Sequence, residues 1–439
     1  MNRSGPGRAG RLVNRRSFLQ MSASAAVLGL GAVGCGDATA LVESERRVRQ
    51  WNLFGGGDGA RLIQMHDQFR AGHRPIDFEA TTLEWGAPFY TKVAMAAAGG
   101  RSPDVATFHL SRLVGFSPGN LLDPFPAELL DEFGITKDKF LPQAWDKAVF
   151  DGQLYAIPLD THPFVMYYNT DICKKAGVLE ADGRLRETHG EDELIDLLTA
   201  VKDATGKWAV SIDTENPWRL WWTLYRQLDG EVLSEDGTEL AVDDEKGVRA
   251  LELMQRMAKE GLTPSSADEV AVVANFSNGA TGLAWNGEWE VTTYETSKMP
   301  FSMTPFPDVF GSIRTYGDAH SFVLPHQRDR DEGTLRDTLT YVAWMLEHSV
   351  DWAAGGHIPA YQPVAQSQQY LDMEPQSEYR RVAEFVQFHP EAWFSGSGAE
   401  IEIQAAAAFT GVYSGRTPQQ CLDQFKAAVQ KLLDTPAPV

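Results

Sequence analysis

Val48-Arg49-Gln50-Trp51-Asn52-Leu53, then Gly55-Gly56-Gly57-Asp58-Gly59, then Leu62, Met65 and Phe69 before Gly72, is the stretch that decides the fold class. Its order is an apolar-rich strand, a glycine loop, and a helix whose apolar residues recur every three or four positions. The same alternation follows at once. Ile76-Asp77-Phe78-Glu79-Ala80 reads as a strand, residues 89–98 as a helix closed by Gly99-Gly100, and Asp104-Val105-Ala106-Thr107-Phe108 as the next strand. Repeated β-then-α units imply an α/β fold.

Farther along, Leu194, Leu198 and Val201 form one helical stripe, Val248, Leu251, Met254 and Ala258 a second, and Leu335, Leu339, Val342 and Leu346 a third. Each is a packing face. At the C-terminus Thr417 before Pro418 supplies a helix cap and a first-turn proline, with Leu422, Phe425, Val429 and Leu432 as the buried face. The polar stretch 179–193 reads as a surface loop, and the chain carries no internal repeat.

Residues 1–34 stand apart. Arg3, Arg8, Arg11, Arg15 and Arg16 precede the small apolar run Ala23 to Leu30, with no acidic residue among them. The run is too short to span a bilayer and reads as a signal peptide. Asn14-Arg15-Arg16-Ser17-Phe18-Leu19-Gln20 resembles a twin-arginine export signal. Val33-Gly34-Cys35 resembles the end of a lipobox, which makes Cys35 the lipidated mature N-terminus; ordinary cleavage near Ala38 or Ala40 is the alternative. Gly29-Leu30-Gly31-Ala32-Val33-Gly34 fits the dinucleotide pattern G-x-G-x-x-G, but no strand precedes it and no βαβ unit surrounds it. Residues 35–47 are expected to be a polar tether.

Without residues 1–34 and their five arginines, 405 residues remain, and the formal net charge moves from −21 to −26. That length suits two lobes with substantial cores. Such an acidic chain repels phosphates, so no nucleic acid is expected as a partner. Cys173 and Cys421 could pair outside the cell or stay as buried thiols.

No H-E-x-x-H, P-loop or paired-cysteine spacing occurs in the mature chain, and no cofactor or metal is expected. Glu288/Glu290 and Glu400/Glu402 could be imagined as acid and base, but at i, i+2 they read as solvated edges. The distinctive feature is aromatic residues beside turns: Trp218, Trp221 and Trp222 follow Asn216-Pro217, and Trp285 and Trp289 bracket Asn286-Gly287-Glu288. A pyranose offers apolar C–H faces and a rim of hydroxyls, so its site needs flat rings with carboxylates or amides beside them. Trp289 with Asp160 or Asn216 supplies that pairing. Trp221, Trp222, Trp344 and Trp352 read better as core.

Several segments together resemble the carbohydrate-binding family of extracellular solute-binding proteins of ABC importers, the maltose-binding-protein-like family 1. They are Ser102-Pro103-Asp104-Val105, Tyr155-Ala156-Ile157-Pro158-Leu159-Asp160 through Tyr167-Tyr168-Asn169-Thr170-Asp171, Asn216-Pro217-Trp218, Gly356-His357-Ile358-Pro359-Ala360 and, most specifically, Phe276-Ser277-Asn278-Gly279-Ala280-Thr281-Gly282-Leu283-Ala284-Trp285-Asn286-Gly287-Glu288-Trp289. The resemblance implies that Trp289 stacks on sugar, with Trp218 as a second ring and Asn216 as a hydroxyl partner. It puts Phe108 and His109 at the cleft from the first lobe, and Asp160 and His162 at a crossover. Gly356 and His357 fall where the chain re-enters the second lobe. Asp58, Trp285 and Trp393 complete the expected ligand-facing set. None of the histidines is expected to bind metal. Leu283 departs from the family's usual methionine.

The fold so implied is a two-lobed periplasmic-binding-protein-like α/β structure with three crossovers and a central cleft. Residues 48–158 and 305–355 form the first lobe, and 159–304 and 356–439 the second. The implied activity is capture of a mono- or oligosaccharide by hinge closure, and delivery to the membrane permease of an ABC importer. The chain is expected to act as a monomer, tethered by lipid to the outer face of the bacterial cytoplasmic membrane. Competing readings are a secreted carbohydrate-active enzyme, a surface interaction protein without a small ligand, and a binder of a polyol or glycerol phosphodiester.

Overall fold

The computed structural model describes residues 46–437, so the signal peptide, Cys35 and the tether up to residue 45 lie outside the described residues. The first strand, Arg47–Asn52, begins one residue inside the expected tether and buries Val48, Gln50 and Asn52 in alternation. This period of two places one face of the strand on the core. Helix Gly56–Gly72 follows with Leu62, Met65, His66 and Phe69 buried. Strand Asp77–Thr82, helix Ala87–Ala98 and strand Val105–His109 complete the expected βαβαβ run, and all three strands pair in parallel.

These strands belong to a six-stranded sheet ordered Asp77–Thr82, Arg47–Asn52, Val105–His109, His320–Pro325, Leu122–Asp123, with Ala156–Pro158 also on His320–Pro325. A second, seven-stranded sheet is built around Asp160–Asn169, a strand buried along its whole length. Leu283–Gly287, Phe301–Pro305, Thr315–Asp318 and Ile358–Pro359 all pair antiparallel with it. Phe164, Met166 and Tyr168 face one core with the tryptophans of helix Trp218–Gln227, while Val165 and Tyr167 face the other.

The chain changes sheet at Leu159, at Ala319, and between Pro325 and Ile358, which gives the three crossovers. Residues 305–318, expected in the first lobe, carry a strand of the second sheet instead, so the second change of sheet comes at Ala319 and not after residue 304. Phe306 and Val309 are buried in the second core, Phe306 against Trp285. At the C-terminus the Thr417 hydroxyl accepts from the Gln420 amide while the Gln420 side chain accepts from the Thr417 amide, a complete capping box for helix Pro418–Leu433. Cys173 and Cys421 are both buried free thiols.

Candidate functional site in the cleft

The two sheets bring their strand ends together. Asp160 and His162, two residues apart on one strand, point to the same side. In the antiparallel registers Asp318 stands opposite His162, and His320 opposite His109. His357 arrives from the third crossover, through a turn that requires glycine. Gly356 has φ +117°, and a Cβ there would meet the Glu288 carbonyl at 2.1 Å.

Asp160 organises this cluster. Its carboxylate accepts from the His320 amide at 2.8 Å and from Trp352 Nε1 at 2.6 Å. His162 Nδ1 lies 3.1 Å from Oδ1, and His320 Nδ1 2.7 Å from Oδ2. The imidazoles of His162 and His320 stack at 4.0 Å. Burial opposes the charge on Asp160, but His320, His357 and the hydrogen bonds from His162 and His320 outweigh it and hold the carboxyl well below its usual range. His162 is pushed down to about 4 by burial and then by His320. Burial, with His320 and His162 next, also holds His109 well below 6.5, so that imidazole is neutral. Its Nδ1 lies 2.6 Å from the Tyr90 hydroxyl.

Above the cluster is a cavity of about 310 Å³ reached from both lobes. Phe54, Asp58, Trp85 and His109 line it from the first-sheet side, and Arg219, Glu269, Trp289 and Tyr316 from the second. Trp85 is 45% exposed, the only tryptophan among the large exposed apolar residues described. Trp289 Nε1 donates to Glu269 Oε1 at 3.0 Å, and the Arg219 guanidinium sits 4.9 Å from the centre of its ring. Arg219 also pairs with Glu269 at 2.7 Å. Burial works against the Glu269 charge, but Arg219 and the bonds from both partners hold its carboxyl low. The Asp318 carboxylate accepts from Ser397 Oγ at 2.8 Å and also from the Ser111 hydroxyl, which ties the segment after the third strand to the second sheet.

Of the expected site residues, the structure brings Asp58, His109, His162 and Trp289 to the cavity wall, and sets Asp160, Gly356 and His357 directly beneath. Others are corrected. Trp218 is 0% exposed, stacked between Trp222 at 5.2 Å and His389 at 5.6 Å in the second core. Trp285 packs on Phe306, and Phe108 on Phe116 and Tyr90, each fully inside. Asn216 lies in a turn capped by Asp213, whose carboxylate accepts from the Asn216 amide, and is not on the cavity wall. Trp393 packs beside Phe394 on the second core. The carboxylates expected at solvated edges are also placed otherwise: Glu288 and Glu402 are buried, and Glu402 accepts from the Gly398 amide and contacts His389 Nε2 at 2.9 Å. Burial raises Glu288 to about 8 and Glu290 to about 7.

Trp85, Arg219, Glu269, Tyr316 and His320 line the cavity without having been singled out. Trp85 carries a readable signal, an indole directly before Gly86, whose φ is +84°. Arg219 is the neighbour of a residue that was chosen. His320 gives no local signal, because Asp160 and His109, the partners that place it, lie 160 and 211 positions away.

The sequence profile of bacterial extracellular solute-binding proteins matches residues 64–372. A putative binding protein of Brucella abortus is 21% identical over 371 residues, spanning 82% of this chain and 86% of its own. The Streptomyces glaucescens receptor crystallised with acarbose superposes with a TM-score of 0.76 at 18% identity, covering 88% of this chain and 98% of that one. A Thermotoga lettingae solute-binding protein bound to α-D-tagatose gives 0.75 at 18% identity, over 88% and 100%. With its two sheets, three crossovers and cleft between them, the chain belongs to the family of bacterial extracellular solute-binding proteins.

Proposed function

We propose that this protein is exported, captures a saccharide between its lobes, and delivers it to the permease of an ABC importer. The observation that carries this reading is the pairing of two indoles from opposite lobes, Trp85 and Trp289, across one cavity of about 310 Å³. Between them stand imidazoles, carboxylates and a guanidinium, the groups that meet sugar hydroxyls. Stacking on C–H faces with polar groups at the rim is how a site reads a pyranose. The acarbose and tagatose ligands of its structural neighbours support the same cargo class. A ligand touching both lobes favours the closed form by its differential affinity, and closure is what a permease can read.

Binding without turnover is the expected behaviour. Glu269, a carboxylate on the cavity wall, is committed to Arg219 and Trp289 and kept ionised, so it is not an acid that could protonate a leaving group. Calorimetric titration against mono- and oligosaccharides, polyols and glycerol phosphodiesters, followed by product analysis, tests both parts. Saturable binding of a saccharide that is recovered intact is expected. Hydrolysed product would point to an enzyme, and absence of saccharide binding with a polyol or phosphodiester bound would reassign the cargo.

A further inference from the structure

We propose that Asp160, His162, His320 and His357 form a binding site for a divalent transition-metal ion in the floor of the cleft. Each offers one ligand atom, all within 4.8 Å of one another, and all four residues are buried. The three Nδ1 atoms of His162, His320 and His357 lie 3.1, 2.7 and 3.4 Å from the Asp160 carboxylate. A tetrahedral ion with bonds of about 2.0–2.1 Å needs ligand atoms roughly 3.3 Å apart, so small side-chain adjustments suffice. The carboxylate is already fixed from outside the set by Trp352 Nε1, and also by the His320 backbone amide, the kind of support that orients metal ligands.

A second observation points the same way. Around His357 the buried atoms Nδ1, Nε2, Asp58 Oδ1 and both Glu288 carboxylate oxygens have no hydrogen-bond partner, although His357 lies 2.9 Å from Glu288 and 3.1 Å from Asp58. Three carboxyl groups thus converge on one imidazole in the interior, two of them, those of Asp58 and Glu288, with oxygens whose directional bonding is unmet. A divalent cation at the imidazole nitrogens would supply positive charge where those oxygens gather. Three nitrogens and one carboxylate suit Zn²⁺ and its neighbours in the first transition row, and do not suit Ca²⁺ or Mg²⁺, which prefer all-oxygen sites. The ligands come one or two from each of the three crossovers, so the ion would clip the lobes together at the cavity floor.

The test uses the full chain without a polyhistidine tag, stripped with chelator. Zn²⁺ titration by calorimetry should find one equivalent bound, and Co²⁺ should give the visible bands of a tetrahedral site. His162→Ala with His320→Ala should lower Zn²⁺ affinity by more than about 100-fold. His189→Gln, at an exposed histidine, should leave it unchanged. His357→Gln provides a second loss variant, and a melting curve for each variant ensures that the comparison is between folded chains. Sub-stoichiometric binding, or affinity that survives these substitutions in folded protein, would overturn the site. Saccharide titrations on stripped and loaded protein run alongside: lost saccharide binding with one bound Zn²⁺ would sink the cargo reading and leave the metal site standing.

Discussion

Adding one carbon at Gly287 should remove Trp289 from the cavity. Gly287 has φ −72° and ψ 157°, a conformation open to any residue, so the substitution carries no backbone strain. A Cβ there would nevertheless fall 1.8, 1.9 and 2.2 Å from three carbons of the Trp289 ring. The ring must swing away, giving up its bond to Glu269 and its place under Arg219. A well-covered indole contributes on the order of 2–3 kcal/mol through apolar burial and dispersion. Gly287→Ala is therefore expected to weaken saccharide binding roughly 30- to 150-fold. Trp289→Ala should cost the same, and adding Gly287→Ala to it should change affinity by less than about twofold, because the clash is gone. Calorimetry on all four members of this cycle, with melting curves to confirm folding, reads the outcome. Wild-type affinity in Gly287→Ala, or additive losses in the double variant, would refute the role given to the ring.

Replacing Cys35 with Ala should release the protein from membranes, and a variant that is processed yet survives a carbonate wash on the membrane would refute lipidation. Lysine at both Arg15 and Arg16 should trap precursor in the cytoplasm, whereas undiminished export would point to the general secretory route. Burial, with Arg70 second, lowers His66 from 6.5 to about 3, so below pH 6.5 the unfolded chain takes up a proton that the folded chain refuses. Stability should fall as pH drops from 6.5 toward 3, by about 2 kcal/mol from this group at pH 5. Urea unfolding at pH 7.5 and 5.0 should show His66→Gln losing about 2 kcal/mol less than wild type, and equal losses would refute the assignment.

The βαβαβ opening, the helical stripes and the Thr417 cap were all legible, because each is a local pattern with a period of two or three to four. So was the place of Trp289 at the cavity wall, in the single 3-10 turn that follows strand Leu283–Gly287. Two of the misplacements share one cause. Phe108 and Trp218 are core residues, and the positions immediately after them, His109 and Arg219, reach the cavity. On a strand one step reverses the face, and on a helix it turns it by about 100°. Motifs locate such a segment without fixing which neighbour points inward. His320 was beyond any local pattern, since antiparallel pairing alone brings it to His109 and Asp160.

Asp160, His162, Asp318 and His320 lie in or beside the backbone that joins one sheet to the other, and His357 lies in the third joining segment. On the proposed function, the residues that form the cavity floor and its wall at His162 and His320 share a stretch of chain with the segments that would flex on closure. Anyone converting this protein into a biosensor would find that retargeting through those positions alters the resting equilibrium along with selectivity. Trp85, Arg219 and Glu269 stand away from the joining segments. If the proposed saccharide site is right, they are the positions at which recognition would be retuned while the response of the reporter stays calibrated.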